Sequence, residues 1–150
     1  KNNMMDLAIE KMLIKNLGEP VFAEVKKPLK ECKVALITTA GVHLKSQKPF
    51  DGKKGDASYR AIPCDVNMEE IIITHGHYDE REQVQSVTGV LPIDRLNELS
   101  EDGIIGGVAT NHYGFMGYAP EVKPLMEEYA PEVARLLVED GVDIAICSPA

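Results

Sequence analysis

Lys33-Val34-Ala35-Leu36-Ile37-Thr38-Thr39, running into Ala40-Gly41, is the stretch whose reading decides the fold. A continuous apolar run of this length, rich in β-branched residues, suits a strand covered on both faces, which is the habit of parallel sheets. Ala40-Gly41 then marks a turn at the strand's carboxyl end. Further along the chain, Ile71-Ile72-Ile73-Thr74 and Asp143-Ile144-Ala145-Ile146-Cys147 repeat the pattern. Tyr59-Arg60-Ala61-Ile62 adds a short edge strand, and Ile104 to Ala109 is a strand candidate carrying glycines. Helical patterns separate these runs. Leu96 and Leu99 fit a short helix that Gly103 ends. Residues 120–139 carry Leu125, Tyr129, Val133 and Leu137 at four-residue spacing, with Pro131 expected to break or kink the helix into two. Gly141 caps it. Met5, Ile9, Met12, Leu13 and Leu17 predict an N-terminal helix over 5–17, closed by Gly18 and Pro20. Residues 45–60 read as a long, mobile polar loop, and Thr110 to Tyr118 as a loop rich in glycine and aromatics. The expectation is an α/β fold: a layered helix/sheet/helix domain with a mostly parallel sheet, incomplete at its C-terminus. Residues 1–29 form a helix and connector, and 30–150 the α/β domain.

Composition narrows the function classes. The chain has 150 residues, 44% hydrophobic and 27% charged, enough for one domain with a real core. A net charge of −8 argues against nucleic acid, whose phosphates demand a basic surface. No apolar run reaches the roughly 20 residues that span a bilayer, and no signal peptide is visible, so no membrane partner is expected. Cys32, Cys64 and Cys147 are widely spaced and form no CxxC, which suits a reducing cytoplasm rather than a disulfide framework.

Ligands of open α/β sheets lie beyond the carboxyl ends of the strands. All four histidines, His43, His75, His77 and His112, fall at or just after predicted strand ends, which points to a single site. Thr74-His75-Gly76-His77-Tyr78-Asp79 is the densest stretch. On an extended chain His75, His77 and Asp79 share one face. That spacing admits a zinc or iron site, local hydrogen bonding, or acid–base and anion-binding work by imidazoles that titrate near neutral pH. It resembles part of the metallo-β-lactamase-fold motif, but Glu80 stands where that pattern has a histidine, and only His112 lies downstream. In Asn111-His112-Tyr113-Gly114-Phe115-Met116-Gly117-Tyr118, His112 and Tyr113 are candidates to move protons or orient a carboxylate. An aromatic plug over the core is the alternative. No GxGxxG or Walker lysine is present, and no cysteine has the setting of a nucleophile.

Several segments in order resemble one family. They are Ala35 to Lys45, Phe50-Asp51, Tyr59 to Pro63, Thr74 to Asp79, Pro92 to Leu96 with Gly103-Ile104-Ile105, His112 to Gly117, and Glu139 to Asp143. Together they resemble the selenoprotein B component of the glycine/sarcosine/betaine reductase and D-proline reductase family. The resemblance implies reductive cleavage of a carbon–nitrogen bond in a small amino acid or amine. It implies a pyruvoyl group on a partner subunit, a dithiol electron donor, and a selenocysteine nucleophile with a resolving cysteine. It places the selenocysteine just after Ala150, so the expectation is that this chain carries no cofactor and lacks the nucleophile. His43, His75, His77, Asp79, His112 and Tyr113 would then be the site residues around the selenolate. A metal-dependent hydrolase using His75, His77 and Asp79, and a non-catalytic assembly domain, are the competing readings. An exposed sheet edge makes an oligomer the expected state.

Overall fold

The structure is a computed structural model that describes residues 23–74 and 83–148. The predicted helix over 5–17 and the residues His75, His77 and Asp79 lie outside the described residues. The run that opened the sequence analysis is strand β1, Lys33–Thr38. Beyond it come β2 (Val42–Leu44), β3 (Arg60–Pro63), β4 (Ile71–Ile73), helices α1 (Gln83–Val90) and α2 (Ile93–Glu101), β5 (Gly107–Val108), β6 (Asn111–Gly114), helix α3 (Ala130–Glu139) and β7 (Ile144–Ser148).

Strand β1 is the centre of the main sheet. It pairs in parallel with β7 along one edge, and with β5 and then β6 along the other. The sheet is not mostly parallel throughout. Strand β3 joins the far side of β6 antiparallel, and β2 and β4 form a separate antiparallel pair. Pro63 ends β3 on an edge, where its missing N–H costs no ladder bond.

Strands β5 and β6 run along the same edge of β1 with a jog between them. Val34 pairs Val108 and Ile37 pairs Tyr113, so Ala109, Thr110, Asn111 and His112 stand opposite Ala35 and Leu36 alone. A bulge of this kind leaves a β1 amide without a ladder acceptor. His112 supplies the acceptor: the Leu36 N–H donates to its Nδ1 at 3.1 Å. The stretch expected to be a loop over 110–118 is therefore a strand at its start, and its aromatics Tyr113 and Phe115 are core, while Tyr118 is exposed.

Helices cover both faces. Leu36 packs with Ile62, Ile71, Ile73, Leu91, Ile93 and Leu96 on one side. Its neighbour Ile37 packs with Tyr113, Phe115, Val133 and Leu137 on the other. Period-2 alternation along β1 thus divides the core between α2 and α3, and the layered helix/sheet/helix α/β class holds. Both α2 and α3 end in Glu-Asp-Gly. Gly103 and Gly141 have φ of 69° and 72°. Ile104 N–H reaches Leu99 C=O at 2.9 Å, and Val142 N–H reaches Leu137 C=O at 2.9 Å. These are Schellman closures, and each turns the chain toward a parallel strand beside β1. Pro131 does not break the helical run. A π-helical turn, Leu125–Tyr129, leads directly into α3, where Pro131 occupies the first turn and needs no donor.

Residues 45–59 are not the free loop the composition predicts. Phe50 is buried. Gln47 donates to Ala61 C=O at 2.8 Å and accepts from Leu44 N–H at 2.9 Å. Asp51 accepts from the N–H groups of Lys53 and Lys54. At the amino end of the sheet, Lys33 and Thr110 donate to Asp140, and Lys27 pairs with Asp143 at 2.8 Å. Burial pushes Asp140 up, but the hydrogen bonds from Lys33 and Thr110 outweigh it and hold the carboxyl below its usual range.

Candidate functional site

The register lines up one row across the carboxyl end of the main sheet. Arg60 pairs Gly114, Gly114 pairs Thr38, and Thr38 pairs Ser148. Thr39 N–H donates to Ser148 C=O at 3.2 Å, so β1 and β7 leave the sheet together. This is the edge at which α/β sheets place their ligands.

The β2–β4 pair packs against that row. Gly41 has φ of 73°, and a Cβ there would meet Thr74 O at 2.3 Å. A Cβ on Gly114 would meet Val42 O at 2.2 Å. Backbone passes this close only where no side chain intervenes. Gly41 C=O also accepts from Thr74 N–H at 3.0 Å.

His43 lies within β2 and is buried. Its Nδ1 contacts Leu44 C=O at 2.8 Å and its Nε2 contacts Thr74 Oγ1 at 2.7 Å. A carbonyl only accepts, so Nδ1 carries the proton. In the neutral ring Nε2 then accepts from the Thr74 hydroxyl. The ring meets Phe50 edge-on at 6.1 Å, and the guanidinium of Arg60 lies 4.3 Å over the other aromatic partner in this stack, the Phe50 ring.

His112 does not project beyond its strand end. It pairs across β6–β3 with Ile62, two positions before Gly114, and is fully buried. Burial lowers its pKa to about 4, against a small opposing effect of Asp140. With Nδ1 accepting from Leu36 N–H, the proton of the neutral ring is on Nε2, a buried nitrogen with no hydrogen-bond partner among the described residues. Tyr113 packs on the opposite face from Leu36 and Ile62. Its ring is 5.7 Å from Tyr59, in a cluster that includes Phe115 and Tyr129. Burial raises its pKa. His112 and Tyr113 therefore do not act on one substrate atom from the same side of the sheet. His43 and Thr74 are brought together, and His75, His77 and Asp79 follow Thr74 outside the described residues. Among the described residues, no group of three His, Cys, Asp or Glu side chains is placed to hold a metal.

Sequence reasoning missed Thr74 as the partner of His43, and Arg60. Thr74 read as the tail of an isoleucine strand and the start of the His75-Gly76-His77 stretch, with no role of its own. Arg60 read as an edge-strand residue, although an arginine beside aromatic Tyr59 and close to Asp56 and Ser58 was the available signal. Cys147 is exposed on β7 and Cys32 is buried.

The glycine/sarcosine/betaine reductase selenoprotein B family matches residues 14–149. D-proline reductase subunit gamma of Acetoanaerobium sticklandii is 40% identical over 127 residues, 85% of this chain and 52% of that protein. Glycine reductase complex component B subunit gamma of Symbiobacterium thermophilum is 28% identical, over 93% of this chain and 36% of the relative. Sarcosine reductase complex component B subunit beta of Peptoclostridium acidaminophilum is 26% identical, over 85% of this chain and 31% of the relative. The chain spans about a third to a half of the length of these relatives. No solved structure matches it. With the match running over nearly the whole chain, this protein belongs to the glycine/sarcosine/betaine reductase selenoprotein B family.

Proposed function

We propose that this chain is part of a reductase component that cleaves a carbon–nitrogen bond of a small amino acid or amine such as D-proline, glycine, sarcosine or betaine. It works with a pyruvoyl-bearing partner subunit and a dithiol electron donor. The observation that carries this reading is the family match over residues 14–149, together with 40% identity to a D-proline reductase subunit. The fold supports it. Strand β7 brings its carboxyl end, Ser148, into one row with Thr38, Gly114 and Arg60. The reductase component is expected to carry a selenocysteine, and the carboxyl edge of the sheet is where α/β folds place their chemistry. When present, the selenocysteine supplies the nucleophile, while the partner's pyruvoyl carbonyl activates the amine.

The chain's own residues have narrower tasks. Both ring nitrogens of His43 are occupied, so it acts through Thr74 as a positioning residue, fixing the hydroxyl at the entrance to the His75-Gly76-His77 stretch. His112 is neutral at pH 7 and closes the β1 ladder. Proton delivery to the leaving amine then falls to His75 or His77, with Asp79 as the orienting acid. Tyr113 holds the aromatic layer beneath the row.

Co-expression with a pyruvoyl-bearing subunit tests the assignment. The expected result is a stoichiometric complex, and with the complete selenoprotein, dithiol-driven release of the reduced acid or amine. A chain that purifies alone with stoichiometric zinc or iron would instead favour hydrolase chemistry at His75, His77 and Asp79.

A further inference from the structure

A cavity of about 580 Å³ opens beside Arg60 at the carboxyl end of the sheet, lined by Lys48, Asp56, Ser58, Arg60, Glu121 and Tyr129 among others. Among the described residues, no histidine lines it. Its charged groups divide into a committed set and a free set.

Arg60 is committed to one position. Its side chain is 12% exposed. Nε donates to Lys48 C=O at 2.8 Å, and Nη1 donates to Ser58 Oγ at 2.8 Å and Tyr59 C=O at 2.9 Å. The guanidinium lies on the Phe50 ring at 4.3 Å. Among the described residues, Nη2 has only a long 3.4 Å contact with Asp56, so it retains donor capacity. A planar guanidinium held this way is already paid in rotamer entropy and suits a carboxylate. Asp56 is committed too. It accepts from both the N–H and the hydroxyl of Ser58. Burial pushes its carboxyl up, but the Ser58 hydrogen bonds and Arg60 bring it below the usual range.

Lys48 and Glu121 are different. Both are exposed, both line the cavity, and neither side chain has a hydrogen bond or ion pair among the described residues. They carry opposite charges and do not pair with each other. Lys48 and Arg60 against Asp56 and Glu121 make the formal charge of the lining zero. A phosphate or a dicarboxylate would leave Glu121 opposed by like charge. A simple amine would leave Lys48 and Arg60 so. A ligand with one carboxylate and one ammonium satisfies both ends.

We propose that the cavity formed by Lys48, Arg60 and Glu121 is a recognition subsite for a zwitterionic α-amino acid, with the carboxylate on Arg60 and Lys48 and the ammonium on Glu121. It deepens the reading of this chain as part of an amino-acid reductase component and rests on that reading for the ligand's class. Arg60 shares the carboxyl-end row with Ser148, three strands away, which is about 14 Å between Cα atoms at the usual strand spacing of roughly 4.8 Å. The subsite therefore lies along the same edge of the sheet as Ser148.

Equilibrium titration of the chain tests this without any turnover. The probes are D-proline and glycine, with pyrrolidine as the ammonium-only analogue and tetrahydrofuran-2-carboxylate as the carboxylate-only analogue. The zwitterions are expected to bind at least about tenfold more tightly than either half-analogue, as loss of a charged hydrogen bond predicts. Glu121→Gln should weaken D-proline about tenfold and leave the carboxylate-only analogue unchanged. Lys48→Met should weaken both. Both positions are exposed, so neither variant threatens the fold, and Arg60→Lys provides a conservative third. Half-analogues binding as well as D-proline, no binding of any amino acid, or indifference to Glu121→Gln would each overturn the subsite. If the zwitterions bind as expected but no complex with a pyruvoyl-bearing subunit forms, the reductase assignment fails and the subsite stands.

Discussion

His112 shows how a side chain's surroundings depend on strands distant in the chain. Its place in a glycine- and aromatic-rich stretch suggests a residue exposed to substrate, yet it fills the gap that the β5–β6 jog leaves on β1. This makes its titration a stability term. Its folded pKa of about 4 lies below the ordinary 6.5, so the unfolded chain takes up the proton first. Stability contributed by the neutral ring is complete above pH 6.5 and is lost as pH falls through the window from 6.5 to 4. The full effect is about 3 kcal/mol. His112→Asn retains an acceptor for Leu36 N–H and does not titrate. The difference in unfolding free energy between the native protein and this variant should shrink by about that amount between pH 7.5 and 4. A difference independent of pH would show that His112 is not held neutral. The residue itself was picked out by sequence; its role was not, because a bulge is a property of pairing between strands distant in the chain.

At the scale of elements, the turns were the most legible feature. Gly103 and Gly141 were placed correctly as helix ends because a left-handed cap is a local event governed by a few consecutive residues. Gly41 has a similar φ but a different duty. Nothing lies within 4 Å of a Cβ on Gly141, whereas on Gly41 it would meet Thr74 O at 2.3 Å. Gly141→Ala should therefore cost only the backbone term, about 1 kcal/mol. Gly41→Ala should cost roughly 3 kcal/mol or more, since β2 and β4 must separate. Denaturant unfolding of the two variants reads the contrast, and equal losses would mean that the β2–β4 approach is soft. Helix α1 went unseen because its pattern is weakly apolar. The loop at 45–59 looked mobile because its anchors, Gln47 to Ala61 and Phe50 under Arg60, are tertiary.

For the whole molecule, β7 is the open question of coverage. Its run from Ile144 to Cys147 is apolar on both faces, the composition of an interior strand. Yet among the described residues it pairs with β1 alone, and Ile146 is 48% exposed where its register partner Leu36 is 4% exposed. An apolar edge of this kind recruits another strand. The isolated chain should sediment above its monomer mass of 16.5 kDa at micromolar concentration, and Ile146→Lys should restore the monomer. A native chain that is already monomeric would contradict this. In the described residues no helix is long and apolar enough to cross a membrane.

The sequence alone determined the α/β class, the central strand at Lys33–Thr38, the glycine-closed helices and the family, because each depends on local pattern or on an ordered set of segments. Tertiary structure alone decided the antiparallel arrival of β3, the strand that carries His112 into the core, the Thr74 partner of His43, and the assembly of Lys48, Arg60 and Glu121 around one cavity. Those outcomes depend on register between distant strands, and register is fixed by which faces are buried and which amides need acceptors, information that no window of consecutive residues contains.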